Sequence, residues 1–267
     1  MNKHRWRPTA FLSFSIALHL LALLTVVIDL ALWPWALAAV AANHMVITLL
    51  GLLPRSSGLG ANWTHLPQGA TQRNEIALTI DDGPDPEVTP QVLELLQRHN
   101  VRATFFCIGS KVVQYPELCR EIVRHGHAIE NHTQHHRHNF SLLGLAGYAR
   151  EIAAAQESLG RIAGMPPQFF RAPAGLRNPF LQPVLARLGL QLASWTVRGF
   201  DTCTHDAAQV RARLSRGVKP GAILLLHDGN AARTVTGDPV ILQVLPDLIT
   251  SAHAAGLRFV TLRDAAL

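Results

Sequence analysis

From residue 75 onward the chain alternates short apolar runs with helical stretches, and that rhythm admits few folds. The runs at 76–80, 103–109, 127–131, 168–171, 190–197, 222–226 and 258–262 read as strands. Helices are expected at 88–99, after Pro116, and at 145–163, 179–188, 206–216 and 240–255. Strands separated by helical crossovers form a parallel sheet, and about seven such units curl into a distorted β/α barrel. In such barrels the chemistry collects where strands end. Asp81 and Asp82 follow the first strand, a histidine cluster the third and Arg171 the fourth. Asp201 follows the fifth, and His227 and Asp228 the sixth. All of them are expected at one mouth.

The first strand, IALTIDDGP at 76–84, places two adjacent carboxylates at the edge of a core and stops at Gly83-Pro84. Paired aspartates are costly to hold together without a cation between them, and a bound metal supplies one. A plain strand-end turn, with Asp and Gly serving backbone geometry, is the alternative. The stretch Asn131-His132-Thr133-Gln134-His135-His136-Arg137-His138 offers the missing ligands. One helical turn would set His132 and His136 on the same side at ligand distance; His132 with His135 is a second register that spacing leaves open. Two imidazoles and one carboxylate make a catalytic zinc set that leaves a position for water. Otherwise the segment is an exposed histidine-rich loop, the reading that suits His135 and His138.

No Asp, Glu, Lys or Arg occurs from 10 to 28 or from 30 to 54, with Asp29 between. Each run is near the ~20 residues that span a bilayer. A second apolar run follows at once, with no small-residue cleavage site, which suits a transmembrane hairpin over 1–55 better than a signal peptide. Asn43 and His44 interrupt the second run, so an interfacial segment competes with a spanning one there. Lys3, Arg5 and Arg7 precede the first run, and Arg55 and Arg73 follow the second. Basic flanks stay cytoplasmic, and Trp33 and Trp35 suit the far interface. The expectation is an inner-membrane anchor of bacterial type, a linker over 56–74, and a domain over 75–267 facing the cytoplasm. The net charge of +6 is diffuse. No basic run of the kind that tracks nucleic acid is present. Cys107, Cys119 and Cys203, an odd count without CxxC spacing, point to neither a disulfide framework nor a thiolate zinc site.

From about residue 75 the chain resembles the polysaccharide deacetylase family, carbohydrate esterases that share a NodB-like domain with the rhizobial Nod-factor deacetylase. Thr79-Ile80-Asp81-Asp82-Gly83-Pro84 matches the first motif, with Ile80 where Phe is usual. His132-Thr133-Gln134-His135-His136 matches the second, Arg171-Ala172-Pro173-Ala174-Gly175 the third, and Leu224-Leu225-Leu226-His227 the fifth. The resemblance implies a divalent metal, usually zinc, held by Asp82, His132 and His136. It implies Asp81 as general base, Arg171 as the partner of that base, and His227 as the acid that protonates the departing amine. The backbone N–H after Pro173, here that of Ala174, would bind the oxyanion. The reaction implied is hydrolysis of an N-acyl group from an amino sugar.

Two departures bear on substrate. Ala174 stands where the family carries an aromatic. In the fourth motif Arg198 occupies the first acidic position and Thr202 that of a tryptophan. In the family the missing acid orients or tunes the catalytic histidine, which leaves Asp201 or Asp228 to compensate, or His227 to titrate differently. A groove with Arg198 and without aromatic walls suits an anionic group such as phosphate better than a long glycan, unless Arg198 pairs with a local carboxylate. With a cytosolic domain, the substrate expected is a lipid-linked N-acyl amino sugar; the resemblance, whose family includes lipid-linked deformylases, implies formyl as one option for the acyl group. An outward-facing deacetylase of peptidoglycan or exported polysaccharide, and a glycan-binding pseudoenzyme, are the alternatives. Retention of Asp81, Asp82, His132, His136, Arg171 and His227 together argues against the pseudoenzyme.

Overall fold

The computed structural model describes residues 6–267; Lys3 and Arg5 of the expected basic flank lie outside them. The two uncharged runs fold as α1 (Ala10–Ile28) and α2 (Trp33–Leu52), packed against each other as a hairpin. Thr9 caps α1 by accepting the Leu12 N–H at 3.1 Å, and Asp29 ends it and accepts the Ala31 N–H in the tight connection. Pro34 sits in the first turn of α2, where its missing N–H costs nothing. The polar residues of the run turn toward the partner helix: Asn43 Nδ2 donates to Ser15 Oγ at 2.7 Å, and the His19 and His44 Nε2 atoms lie 3.1 Å apart. Both helices are long and apolar enough to cross a membrane, and most of their large side chains, such as Leu20, Leu24, Leu37 and Leu49, face outward.

Beyond the hairpin, α3 (Gln68–Gln72) leads into β1 (Glu75–Asp81). Then follow α4 (Val88–Arg98), β2 (Thr104–Cys107), α5 (Gly109–Gln114), α6 (Pro116–Arg124) and β3 (Ala128–Asn131). Next come α7 (Leu145–Ala163), β4 (Phe169–Phe170), α8 (Leu181–Leu188), β5 (Gln191–Leu192), β6 (Val197–Arg198) and α9 (Ala207–Ser215). The chain closes with β7 (Ile223–His227), α10 (Val240–Ala254), β8 (Arg258–Phe259) and α11 (Leu262–Ala265). The strands run parallel in the order β5-β4-β3-β2-β1-β7-β6, and β8 extends the start of β1. This is the curved parallel sheet, a partial barrel, that the alternation predicts. β1 and β7 are buried along their whole length, as continuous apolar strands under helices must be.

The expected strand at 190–197 is two short strands. Between them Ser194 donates its N–H to the carbonyl of Trp63, and Trp63 donates to Leu192. Leu66 N–H meets Gly221 O, and His65 bridges Ala222. Residues 63–66 thus lie in the seam between the β5 end of the sheet and the start of β7, with Leu59, Leu66 and Ala70 buried beneath.

The hairpin is joined to the barrel at the mouth. Gly51 O accepts the Arg177 N–H at 3.2 Å, Pro54 O accepts from Ser194 Oγ at 2.6 Å, and Arg55 Nη1 donates to Thr196 O at 2.9 Å. A Cβ on Gly51 would lie 2.2 Å from Arg177 O, so only glycine permits this approach.

Candidate active site

Asp81 is the last residue of β1, and the register pairs it with His227, the last of β7. Its Oδ1 receives Arg171 Nη1 at 2.6 Å. Arg171 reaches across from the end of β4 and is almost wholly buried. Its other donors go to Thr79 Oγ1 (2.9 Å), Ala193 O (3.1 Å) and Ser194 O (2.7 Å), and its guanidinium lies 4.0 Å from the centre of the Phe106 ring. A buried arginine with its donors engaged can sit in a core only if its charge is matched. Asp81 matches it and is fixed in return.

Asp82 turns away from the strand with φ of 74°, the left-handed region that favours glycine and that aspartate enters at some cost. Lys111 Nζ holds its carbonyl at 2.8 Å and Asn230 Nδ2 its Oδ2 at 3.2 Å. Its Oδ1 is buried and receives no aligned hydrogen bond, although His132 Nε2 and His136 Nε2 each lie 3.2 Å from it. The three ligand atoms fall within 4.8 Å of one another. His132 Nδ1 is 2.9 Å from the Arg171 carbonyl, a bond that places the proton on Nδ1 and leaves the Nε2 lone pair facing Asp82. Lone pairs converging on a buried carboxylate oxygen that lacks a donor fit a divalent cation. With protons in place of a cation, burial opposes ionisation of Asp82, yet a protonated His132, with His227 and His136 beyond it, outweighs burial and holds the carboxyl well below the usual carboxylate range.

The histidine segment is a loop, not the helical turn expected from the four-residue spacing. Asn131 Oδ1 accepts the Thr133 N–H, Thr133 Oγ1 accepts the His136 N–H, and positive φ at Thr133 (68°) and His136 (49°) doubles the chain back. Of the two registers, the fold selects His132 with His136. His135 leans outward onto Glu151, its Nδ1 3.0 Å from Oε1, and His138 is exposed.

On the opposite wall, Asp201 accepts from His227 twice: Oδ1 is 2.9 Å from Nδ1, and Oδ2 takes the backbone N–H at 2.7 Å. Burial opposes the imidazolium, but Asp201, followed by Asp81 and Asp82, pushes the His227 pKa up to about 9. Asp228 does not share this task. Its carboxylate is turned into the core, where it accepts from Thr89 Oγ1 at 2.5 Å and from the Gly229 N–H at 2.9 Å. Burial pushes its pKa up to about 7.

Asp81, Asp82, His132, His136 and His227 line a pocket of about 190 Å³ together with Ala174, Trp195, Arg198, Thr202 and Asn230. Pro173 is buried behind Ala174, whose φ of 52° marks the tight turn of that loop. The expectation of a groove without aromatic walls is not met. Trp195, which stands between β5 and β6, forms one wall. Arg198 has no carboxylate within ion-pair distance among the described residues; its guanidinium rests 4.5 Å above the Phe200 ring instead. Asn230 and Lys111 escaped the sequence reading. Asn230 follows His227 by three residues, the one signal available, whereas Lys111 touches the site only through a backbone carbonyl.

The family model for polysaccharide deacetylase matches residues 68–193. A peptidoglycan-N-acetylglucosamine deacetylase of Bacillus cereus is 33% identical over 196 residues, 73% of this chain and 69% of that protein. A chitooligosaccharide deacetylase of Azorhizobium caulinodans is 38% identical over 160 residues, 59% of this chain and 75% of its own length. Among solved structures, a peptidoglycan N-acetylglucosamine deacetylase in complex with 4-naphthalen-1-yl-N-oxidanyl-benzamide superposes with a TM-score of 0.69 at 31% identity, covering 77% of this chain and 92% of that one. With the motif order, the parallel partial barrel and these relatives in agreement, the chain belongs to the polysaccharide deacetylase family, as a hydrolase acting on non-peptide carbon–nitrogen bonds.

Proposed function

We propose that the chain is a membrane-anchored, divalent-metal-dependent N-deacylase of an amino sugar carried on a lipid phosphate. The observation that carries the chemistry is the convergence of His132 Nε2 and His136 Nε2 on the donor-free Oδ1 of Asp82, beside an Asp81 held by Arg171. Asp82, His132 and His136 would hold the metal, and zinc suits two imidazoles and a carboxylate. A divalent ion there polarises an acyl carbonyl and makes water a stronger nucleophile at neutral pH.

The chain's own residues do the rest. Asp81, aimed by Arg171, accepts a proton from the attacking water. The Ala174 N–H donates to the oxyanion that develops on the acyl oxygen. His227, protonated at neutral pH because Asp201 faces it, delivers its proton to the departing amine nitrogen. The two carboxylates and the imidazole thus take different roles because their neighbours differ.

In this reading residues 1–55 anchor the protein by a hairpin that crosses the inner membrane, and 75–267 form the catalytic domain. The basic residues Arg7 and Arg55 at the hairpin's two ends favour a cytoplasmic domain, and Arg198, without an acidic partner, favours a phosphate beside the sugar. A second reading is favoured by the peptidoglycan substrate in the name of the B. cereus relative: the same chemistry on the outer side, acting on wall polymer. Reporter fusions after Leu267, active on only one side of the membrane, separate the two. Cytosolic activity is expected; activity outside would overturn the lipid-precursor reading and leave the deacylase chemistry untouched.

A further inference from the structure

The catalytic pocket does not end at Arg198. On its far side a groove of about 520 Å³ shares Trp195 and Arg198 with the pocket and runs back to Pro54 and Arg55, directly after the hairpin. Arg55, Arg198, Arg213 and Arg216 all line it. Among the described residues, none of the four makes an ion pair, although most of the chain's other ion pairs are made by arginines. Four guanidinium groups lining one groove without a carboxylate repel one another, and the repulsion is relieved when an anion arrives.

Their placement is built. Arg213 Nη1 is fixed by Thr204 Oγ1 at 2.7 Å and by Gly199 O at 3.3 Å, and Arg55 is fixed by Thr196 O. The Phe200 ring carries Arg198 at 4.5 Å and Arg213 at 5.6 Å from its centre, so one aromatic supports two cations in place of an acid. Phe200 adopts a φ of 61°, a conformation costly for a bulky residue and retained where surrounding structure demands it. Arg198 Nε is buried and has no hydrogen-bond partner. Arginine forks match phosphate oxygens two at a time.

We propose that this four-arginine groove is the subsite for the phosphate ester of a lipid-linked substrate, holding the phosphate between the hairpin end and the catalytic pocket while the N-acyl sugar enters the pocket past Trp195. The proposal rests on the deacylase reading for what the neighbouring pocket does. The groove begins at Pro54 and Arg55, within three residues of the end of α2, so a lipid chain leaving it enters the bilayer in which the hairpin lies. A bilayer headgroup would use the same chemistry. The sharing of Arg198 and Trp195 with the catalytic pocket favours the substrate's own phosphate.

The test compares two substrates with the full chain, loaded with zinc, in neutral phosphatidylcholine nanodiscs. One is geranyl-phosphoryl-N-acetylglucosamine, the other the geranyl glycoside that lacks the phosphate. Wild type should prefer the first in kcat/KM. Arg213→Gln and Arg216→Gln should each cut that preference about tenfold, chiefly through KM, as expected for the loss of one charge-assisted contact. Arg213→Lys should restore part of it, and Arg187→Gln, remote on α8, should not change it. Thermal midpoints near the wild-type value exclude misfolding. Calorimetry with geranyl phosphate reads the groove without turnover. Binding that weakens in the variants while neither substrate is hydrolysed would leave the groove standing and sink the deacylase reading. Equal turnover of both substrates, or a preference indifferent to both variants, would overturn the groove alone. So would loss of binding to phosphatidylglycerol vesicles with the substrate preference intact, which would assign the arginines to bilayer headgroups.

Discussion

Asp201 grips His227 at both ends of one residue, Oδ1 on the ring Nδ1 at 2.9 Å and Oδ2 on the backbone N–H at 2.7 Å. Asp201, three residues after the position where Arg198 stands, is thereby the carboxylate that faces His227. A pKa of about 9, against an ordinary 6.5, keeps His227 protonated at neutral pH, so activity should fall as pH rises through about 9. Asp201→Asn should move that basic limb toward 6.5 and lower kcat about 10- to 100-fold, as for other loss of an orienting partner. Asp228→Asn should leave the limb in place. The linkage has the same sign: stability from the His227 pair is complete below 6.5 and lost as pH rises through about 9. A pH–rate profile, with NMR titration of His227, checks both.

Metal binding should separate the two histidine registers. Zinc at a hundredfold excess over its Kd should stabilise the wild type by about 2.7 kcal/mol. His136→Ala should abolish that gain, whereas His135→Ala should keep it, because His135 is turned onto Glu151. Thermal unfolding with and without zinc, followed by chelation, reads the difference.

Arg171 and Asp81 should be coupled in stability. Arg171→Met leaves a buried carboxylate unpaired and should cost about 3–5 kcal/mol. Adding Asp81→Asn should recover part of the loss, since the neutral amide no longer needs the guanidinium. A double-mutant cycle in urea gives the coupling energy, and simple additivity would contradict the pairing.

Gly229→Ala should weaken metal binding although no ligand changes. A Cβ there would lie 2.2 Å from the Asp82 carbonyl oxygen, so the strained Asp82 backbone must shift. A loss of about 10- to 100-fold in zinc affinity, the usual effect of displacing what supports a ligand, is expected by calorimetry.

Much of this site was legible because its residues stand at strand ends, where an apolar run such as 76–80 or 222–226 stops at a charged pair. Helix α7 fell at 145–163, as its pattern predicts. What periodicity could not show were contacts made by backbone. The strand at 190–197 breaks because Ser194 bonds Trp63 from a segment that reads as a connection. The turn that joins His132 to His136 is made by the Asn131 and Thr133 side chains, and its positive φ values leave no mark in a four-residue spacing. Asp201 and Asp228 look equivalent in sequence. Only the fold turns one toward His227 and the other onto Thr89.

The most direct test of the central claim is release of free amine from geranyl-phosphoryl-N-acetylglucosamine by the purified chain, measured with bound zinc, after chelation and after zinc is restored. The account predicts turnover that disappears with the metal, returns with it, and is lost in Asp81→Asn while zinc still binds. Turnover indifferent to chelation, or undiminished in Asp81→Asn, would contradict it.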